Sequence, residues 1–484
     1  MNETVSIYTP TPQFANDLCD VVRVFWGNAA FSINEPGGET TITHEEQVEN
    51  GVRRCVMTMA GTHSGRMEKS RAVSDDPLLE KRYHKRLIKQ CLYEVMKQAA
   101  GFTPPWGSLT GIRPTRLIYE GMSRGLTLEE ATEEVREIFD ILPEKAALLS
   151  EIVAVQREMG EPQSDEADMY VGIPFCVSRC AYCSFLSGEV GKGKQLPPYV
   201  DALEKEIAGT MALIEEKGLK PRAFYMGGGT PTSLSAPLLD RVLSAARPFI
   251  DRAREVTVEA GRPDTIDRDK LLVIRDHGAT RISVNPQTMH ERTLELIGRR
   301  HTTAQTEEAY ALARQIGFHH INMDLIAGLP GESLEMFLQT LEWSRALSPE
   351  SLTVHTLSIK RSSLLHLWEA ELPDGAMVAA MVDAGRAEAA QRGMRPYYLY
   401  RQKHMAGNLE NVGYALPGHE CFYNVDMMEE TGHVLAVGAG AISKRVNPAI
   451  GRIERAPNVS EIQHYIDRTD EMLERKRALW KENW

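Results

Sequence analysis

The stretch Tyr170-Val-Gly-Ile-Pro-Phe-Cys-Val-Ser-Arg-Cys-Ala-Tyr-Cys-Ser-Phe185 joins a short apolar run to three cysteines, Cys176, Cys180 and Cys183, with gaps of three and two residues. Tyr170 to Ile173 reads as a strand, so the cysteines occupy the loop leaving its carboxyl end. That spacing lets one loop set three thiolates around a cubane iron–sulfur cluster and leave the fourth iron without a protein ligand. An open iron binds small molecules, which makes such a cluster a reaction site rather than an electron wire. Two other readings use the same residues. Buried cysteines can act as small hydrophobes, and a zinc site would need a fourth Cys or His, for which Cys421 is the distant candidate. Cys19, Cys55 and Cys91 lack ligand-like spacing and read as packing residues.

Downstream of this stretch, short apolar runs alternate with helix-length segments. Ala223 to Met226, Glu255 to Glu259, Arg281 to Val284, Ile321 to Ile326 and Leu352 to Thr356 are strand candidates, with helices such as Pro198 to Lys217 and Thr303 to Ile316 between them. Serial βα units imply a parallel sheet with helices outside, because parallel strands need long crossovers. Such sheets gather active residues at the carboxyl ends of their strands. Gly227-Gly-Gly-Thr-Pro231, Glu259, Gln287 and Asp324 all fall at those ends. Consecutive glycines there allow close backbone approach to a ligand. Arg299 and Arg300 carry charge suited to a carboxylate, or else to a solvated helix end.

Upstream, residues 1–160 show none of this alternation. Val5 to Tyr8 and Arg54 to Met59 read as strands around a turn at Gly37-Gly38. Asp75-Asp76-Pro77 opens a helix carrying the stripe Leu79, Tyr83, Leu87, Cys91, Val95 and Ala99, which Gly101 and Pro104-Pro105 close. Trp106 to Pro114 reads as a loop, and two more helices span Thr127 to Phe139 and Glu144 to Met159. The polar stretch 161–167 is the expected boundary, giving an N-terminal α+β domain (1–160), a βα-repeat domain (168–360) and a C-terminal domain (361–484) that covers substrate.

The 484 residues are 42% hydrophobic and 25% charged, which suits a soluble protein of several domains. A net charge of −12 argues against a general nucleic-acid binder. No apolar run approaches the roughly 20 residues that span a bilayer, and MNETVSIYTP lacks the segments of a secretion signal. A cytoplasmic location is the expectation.

The set Cys176, Cys180, Cys183, Gly228-Gly-Thr-Pro231, Glu259, Gln287, Arg299 and Asp324 resembles the radical S-adenosylmethionine enzymes, and within them the oxygen-independent coproporphyrinogen III oxidase group. Leu109 to Pro114, Tyr170 to Phe175, Tyr397 to Lys403 and Asn408 to Tyr414 are similar to the subgroup called HemZ. The resemblance implies an α/β fold, a partial (β/α)6 barrel with an N-terminal α+β domain and a small C-terminal α+β extension. It implies a [4Fe–4S] cluster on Cys176, Cys180 and Cys183, with S-adenosylmethionine on the fourth iron. Gly228, Gly229 and Thr230 would receive its amino group, Arg299 its carboxylate, and Gln287 and Asp324 its ribose, with Glu259 nearby. Tyr182, Ile326 and Ser358 would border the adenine, and Tyr170, the catalytic candidate, would lie beside cofactor and substrate. The implied activity is oxidative decarboxylation of coproporphyrinogen III propionates to vinyls. It would use a low-potential donor such as flavodoxin or ferredoxin. A haem-trafficking chaperone and an anaerobic radical haem-modifying enzyme are the alternatives.

The chain departs from that pattern in places. The best-studied oxidases carry a fourth cysteine where Phe185 stands and a histidine where Gly172 stands. The haem-chaperone branch has a His-Asn-x-x-Tyr-Trp motif where this chain has Tyr423-Asn-Val-Asp-Met-Met428. His419 is either a substitute haem ligand or a loop histidine. Lys360, Arg361, Arg395, Arg401 and Lys403 are either partners for tetrapyrrole carboxylates or ordinary surface charge.

Overall fold

The computed structural model describes residues 3–27, 29–111, 113–183, 188–358, 372–402, 405–447 and 451–481. Phe185, Lys360, Arg361 and Lys403 lie outside the described residues. The chain divides into two compact units, one of residues 1–150 with 401–409 and one of residues 151–400 with 410–484.

In the first unit, strands β1 (Thr4–Tyr8), β2 (Ala30–Ile33), β3 (Thr40–Glu49), β4 (Val52–Gly61) and β5 (Gly65–Ala72) form a sheet in the order β2-β1-β3-β4-β5. Helices α1 (Ala15–Trp26) and α2 (Pro77–Ala100) cover it, burying Leu18, Val22, Leu87, Cys91 and Val95 against Val5, Ile7, Ile42 and Met57. Asp76 caps α2 by accepting from Leu78 N at 2.8 Å, and Gly101 ends it in the left-handed region at φ 72°. Residues four apart on a helix drift by about 40° per step, so the stripe leaves the core at its start, where Leu79 is 39% exposed. Helices α3 (Thr115–Ser123) and α4 (Leu128–Phe139) follow, α4 starting on a Thr127/Glu130 capping box, and α5 (Pro143–Met159) begins in this unit and ends among the residues of the second. The α3 helix was not expected. The Trp106 loop is packed rather than loose. Trp106 is fully buried beneath the Arg401 guanidinium, which donates to Leu109 O at 2.5 Å and Asn408 O at 2.8 Å. Segments that looked like separate motifs therefore meet, and Arg401 is a buried clasp rather than a surface charge.

The second unit is built on β6 (Glu166–Ile173), the short pair β7 (Phe175–Cys176) and β8 (Gly188–Glu189), α6 (Leu196–Lys217), β9 (Lys220–Gly228), α7 (Ala236–Ile250) and β10 (Glu255–Gly261). It continues through α8 (Arg268–Asp276), β11 (Arg281–Val284), α9 (Glu291–Leu296), α10 (Thr303–Ile316), β12 (Ile321–Ala327), α11 (Leu334–Leu347) and β13 (Ser351–Thr356). After α12 (Gly375–Gln391), β14 (Arg395–Tyr400) and β15 (Asn411–Ala415) come α13 (Phe422–Glu429), β16 (His433–Val437), β17 (Ile442–Asn447) and β18 (Arg452–Pro457). Helices α14 (Ile462–Asp467) and α15 (Thr469–Leu479) close the chain's described part. Strands β6, β9, β10, β11, β12 and β13 pair in parallel, as the alternation predicts.

Among the described residues the sheet has 11 strands, because the C-terminal segment extends both edges. β15 and β14 add antiparallel beside β13, while β16 adds parallel beside β6 and carries β17 and β18. Helix α15 is anchored on α6 by an ion pair between Lys476 and Glu206, both fully buried. Glu206 also accepts from Gly438 N at 2.7 Å and Asn458 Nδ2 at 2.8 Å, so the charge is hydrogen-bonded on all sides.

Candidate active site

The cysteine loop is held by backbone before any metal enters the argument. Gly229 N donates to Ile173 O and Thr230 N to Phe175 O, both at 2.8 Å, so the glycine turn rides on the strand end that feeds Cys176. A Cβ on Gly229 would sit 2.6 Å from Phe175 O, which only glycine avoids. Thr230 Oγ1 lies 3.6 Å from Cys176 Sγ. On the other side, Ala181 N donates to Ile297 O at 2.8 Å, and a Cβ on Gly298, at φ 76°, would lie 3.2 Å from Arg179 O. Arg262 braces the loop from below. It donates to Ser178 O at 3.0 Å and Ser178 Oγ at 2.9 Å while paired with Asp264 at 2.7 Å.

Cys180 is buried, Cys176 and Cys183 are half-buried, and no cysteine forms a disulfide. Among the described residues no three His, Cys, Asp or Glu side chains are set to hold one metal ion. A cubane asks for something else, one thiolate at each of three corners.

Arg299 lies across the loop from the glycine turn. Its Nη2 donates to Tyr182 Oη at 3.1 Å and its Nη1 to Asn285 O at 2.8 Å, while its buried Nε has no partner. A buried guanidinium donor left open costs free energy that a carboxylate would recover. Gln287, a non-glycine at φ 73°, donates its N–H to Asp324 O and accepts from Ile326 N, each at 3.0 Å, so those three residues form one ledge. Tyr182 and Ile326 pack with Ala181, Leu294, Ile297, Leu329 and Leu357, and half-buried Ser358 follows that cluster.

Inside the lumen, Asp324 accepts from Asn322 Nδ2 at 2.8 Å and faces His355 Nε2 at 3.6 Å. Burial pushes its pKa up, but hydrogen bonding and charge from His355 outweigh that and hold it low. Glu259 goes the other way. Burial raises it to about 7, and neighbouring Asp324 adds to the rise. Tyr225 Oη donates to Glu259 Oε1 at 2.5 Å. The Tyr225 ring stacks on Tyr423 at 4.4 Å, and Tyr170 stacks on Tyr423 at 5.9 Å. The Tyr170 ring also fills the space over Gly172, where a Cβ would come within 3.3 Å of it.

The structure thus brings Cys176, Cys180, Cys183, Gly228, Gly229, Thr230, Glu259, Gln287, Arg299, Asp324, Ile326, Tyr182, Ser358 and Tyr170 to the carboxyl ends of the parallel strands. Other candidates lie elsewhere. Cys421 bonds Glu255, the first residue of β10, at 3.1 Å, so it sits at the opposite end and cannot complete a zinc site. His419 is at that same end, edge-on to His320 at 4.8 Å, with its carbonyl accepting from Arg281. Arg395 registers with Ala415, itself opposite Ser351 at the start of β13, and pairs with Glu158 at 2.7 Å. Arg262, Gly298, His355, Tyr225 and Tyr423 are site residues that sequence reasoning missed. The signal for His355 was present, because Ser351, Thr353 and His355 alternate as one polar face of the strand, opposite Leu352 and Val354.

Residues 170–344 match the family model of the Radical SAM superfamily. The chain is 39% identical over 403 residues to the oxygen-independent coproporphyrinogen-III oxidase-like protein HemZ of Bacillus subtilis (strain 168), covering 81% of this chain and 80% of that one. It is 30% identical over 293 residues to the heme chaperone HemW of Escherichia coli (strain K12), covering 59% and 72%. The structure titled as coproporphyrinogen III oxidase (HemN) from Escherichia coli, a radical SAM enzyme, superposes with a TM-score of 0.52 at 24% identity, over 66% of this chain and 73% of that one. That likeness shows the shared fold. The chain belongs to the radical SAM superfamily and, within it, to the oxygen-independent coproporphyrinogen-III oxidase-like family typified by HemZ. Its cofactors are a [4Fe–4S] cluster and S-adenosylmethionine. The three-thiol loop, the open Arg299 Nε and the glycine turn fit both. No described helix is long and apolar enough to cross a membrane.

Proposed function

We propose that this protein acts on a tetrapyrrole, oxidatively decarboxylating propionates of coproporphyrinogen III to vinyls in the cytoplasm. A flavodoxin- or ferredoxin-like protein would supply electrons. One observation carries the reading. At the carboxyl ends of the strands, Tyr170, His355 and Tyr400 gather around Glu259 and Asp324 as a polar aromatic cluster. When bound, the cluster and S-adenosylmethionine supply one-electron bond cleavage and a means of removing an unactivated hydrogen.

The chain's own residues do the rest. Cys176, Cys180 and Cys183 hold the cluster. Gly228 to Thr230 receive the amino group, and Arg299 takes the carboxylate through its open Nε. Gln287 and Asp324 hold the ribose with Glu259 nearby, while Tyr182, Ile326 and Ser358 border the adenine. Tyr170 orients the substrate side chain over Gly172. The placement of His419 at the far end of the sheet, with Tyr423 stacked where the chaperone motif has histidine, counts against iron-ligated haem cargo.

Anaerobic incubation with reductant, S-adenosylmethionine and coproporphyrinogen III, beside an identical reaction with haem, tests this. Release of 5′-deoxyadenosine together with a vinyl product is expected from the first alone. Cofactor cleavage with the tetrapyrrole unchanged rejects the substrate. Stoichiometric haem transfer to an acceptor without turnover assigns the chaperone role instead.

A further inference from the structure

The thiols on the cysteine loop have unlike neighbours. Cys176 Sγ has a neutral hydroxyl beside it, Thr230 Oγ1 at 3.6 Å. Cys180 Sγ has a full positive charge, because Arg262 Nη1 points at it from 3.9 Å. Arg262 is only 3% exposed and reaches that place by local geometry. Pro263 holds it extended, at φ −88° and ψ 122°, and opens the single turn Pro263–Thr265 that carries Asp264. The Asp264 carboxylate takes two arms of the guanidinium, accepting from Nε at 3.0 Å and from Nη2 at 2.7 Å. Nη1 is the arm left over, and it faces Ser178 and the sulfur together. Bracing a loop calls for donors, whereas a buried ion pair is a costly way to provide them. The charge itself therefore asks for a purpose.

The other ionisable groups nearby leave this pair as the fixed field. Burial pushes the Asp264 carboxyl up, but the Arg262 fork outweighs burial and keeps it ionised. Burial and the Arg299 charge push His301 down to about 4, so at neutral pH it carries no charge. Against burial, Tyr182 and Cys180 hold the Arg299 guanidinium protonated, and its role is to meet the cofactor carboxylate.

We propose that Arg262 and Asp264 set the reduction potential of the cluster, acting through Cys180. This rests on Cys176, Cys180 and Cys183 being the cluster ligands. Reduction adds one electron from the donor protein, with no bond made or broken and no proton moved. The added negative charge spreads onto the thiolate sulfurs. A cation hydrogen-bonded to one sulfur favours the reduced form and raises the potential, while a carboxylate on that cation opposes the rise. Removing the two charges one at a time must then move the potential in opposite directions.

The test uses the full-length chain loaded anaerobically with iron and sulfide. S-adenosylmethionine is omitted, so that Arg299 meets no carboxylate and no cleavage drains the reduced form. Titration with titanium(III) citrate, read by electron paramagnetic resonance, gives the midpoint per cluster assembled. Arg262→Met should lower the reduced-to-oxidised ratio at a fixed applied potential about tenfold, which is about 59 mV for a one-electron couple. Asp264→Asn keeps the guanidinium and should raise that ratio about threefold. Loss of a mere brace loosens the loop in both variants and gives no such opposition of sign. If Arg262→Met assembles no cluster, Asp264→Asn decides by itself. An unchanged midpoint in an assembled variant, or shifts of the same sign, overturns the proposal. A wild-type chain that assembles no cluster, or a Cys180→Ala variant that keeps one, overturns instead the ligand assignment beneath it.

Discussion

The two ends of the parallel sheet are built from the same kinds of residue and do different things. At the amino end, Glu255 pairs with Arg281 at 3.1 Å and accepts from Cys421 at 3.1 Å, while Arg281 also donates to His320 at 2.9 Å. At the carboxyl end stand Glu259, Arg299, Cys180 and His355. Glu255 and Glu259 even share strand β10 and, four residues apart, the same face. The difference is in the kinds of group gathered. At the amino end the acid, base and thiol bind one another, although Arg281 Nη1, Arg395 Nε and His419 Nδ1 are buried there without a hydrogen-bond partner. At the carboxyl end Arg299 keeps an open Nε, Glu259 is held near neutrality by burial, and three thiols stand on one loop.

The sharpest way to break this contrast is to remove matched residues. Cys180→Ala should lose all cluster iron and all S-adenosylmethionine cleavage, read as iron and sulfide per chain and as 5′-deoxyadenosine released. Retention of both would end the cluster assignment. Arg281→Met leaves the buried Glu255 carboxyl without its guanidinium partner, which should cost about 3–5 kcal/mol in urea unfolding. Iron uptake per folded chain should stay unchanged, and a loss of iron without a loss of stability would show that the two ends are not separate in function.

The pH response of Glu259 comes next. Its native pKa of about 7 lies above the ordinary glutamate value of 4.5, so the folded state binds the proton more tightly than the unfolded chain. The resulting stability is fully present below about pH 4.5 and is lost as pH rises through about 7. Screening in the partly open lumen keeps it to about 2 kcal/mol. Glu259→Gln should flatten that segment of the urea midpoint against pH, and an unaltered slope would place the titration elsewhere. Asp324→Ala should weaken S-adenosylmethionine binding about tenfold with the cluster intact, the scale of one hydrogen bond to a charged group. Cys421→Ala should be mildest, about 1 kcal/mol for one lost hydrogen bond, with full iron content.

How much was readable beforehand depended on the range of the interaction. Helix α2 announced itself through Asp76, Pro77 and Gly101, all acting within a turn of their own backbone. The six parallel strands were legible because apolar runs bounded by helices have few alternatives. The carboxyl-end residues followed from that pattern, since each lies just after its strand. Arg401 misled because a guanidinium in a polar stretch looks solvated, whereas three backbone carbonyls and the Trp106 ring satisfy it in the interior. Tyr423, Tyr225 and Arg262 were overlooked because their partners lie on other strands or helices.

By itself, the order of residues determined the βα alternation, the three-thiol loop and the caps, each set by steric preference or spacing over a few neighbours. Only tertiary packing decided that β16 joins the sheet beside β6, that Cys421 faces Glu255 instead of the cysteine loop, and which acid stays open for chemistry. Those outcomes depend on which distant groups meet. Pairing energies between such groups outweigh any local preference written along the chain.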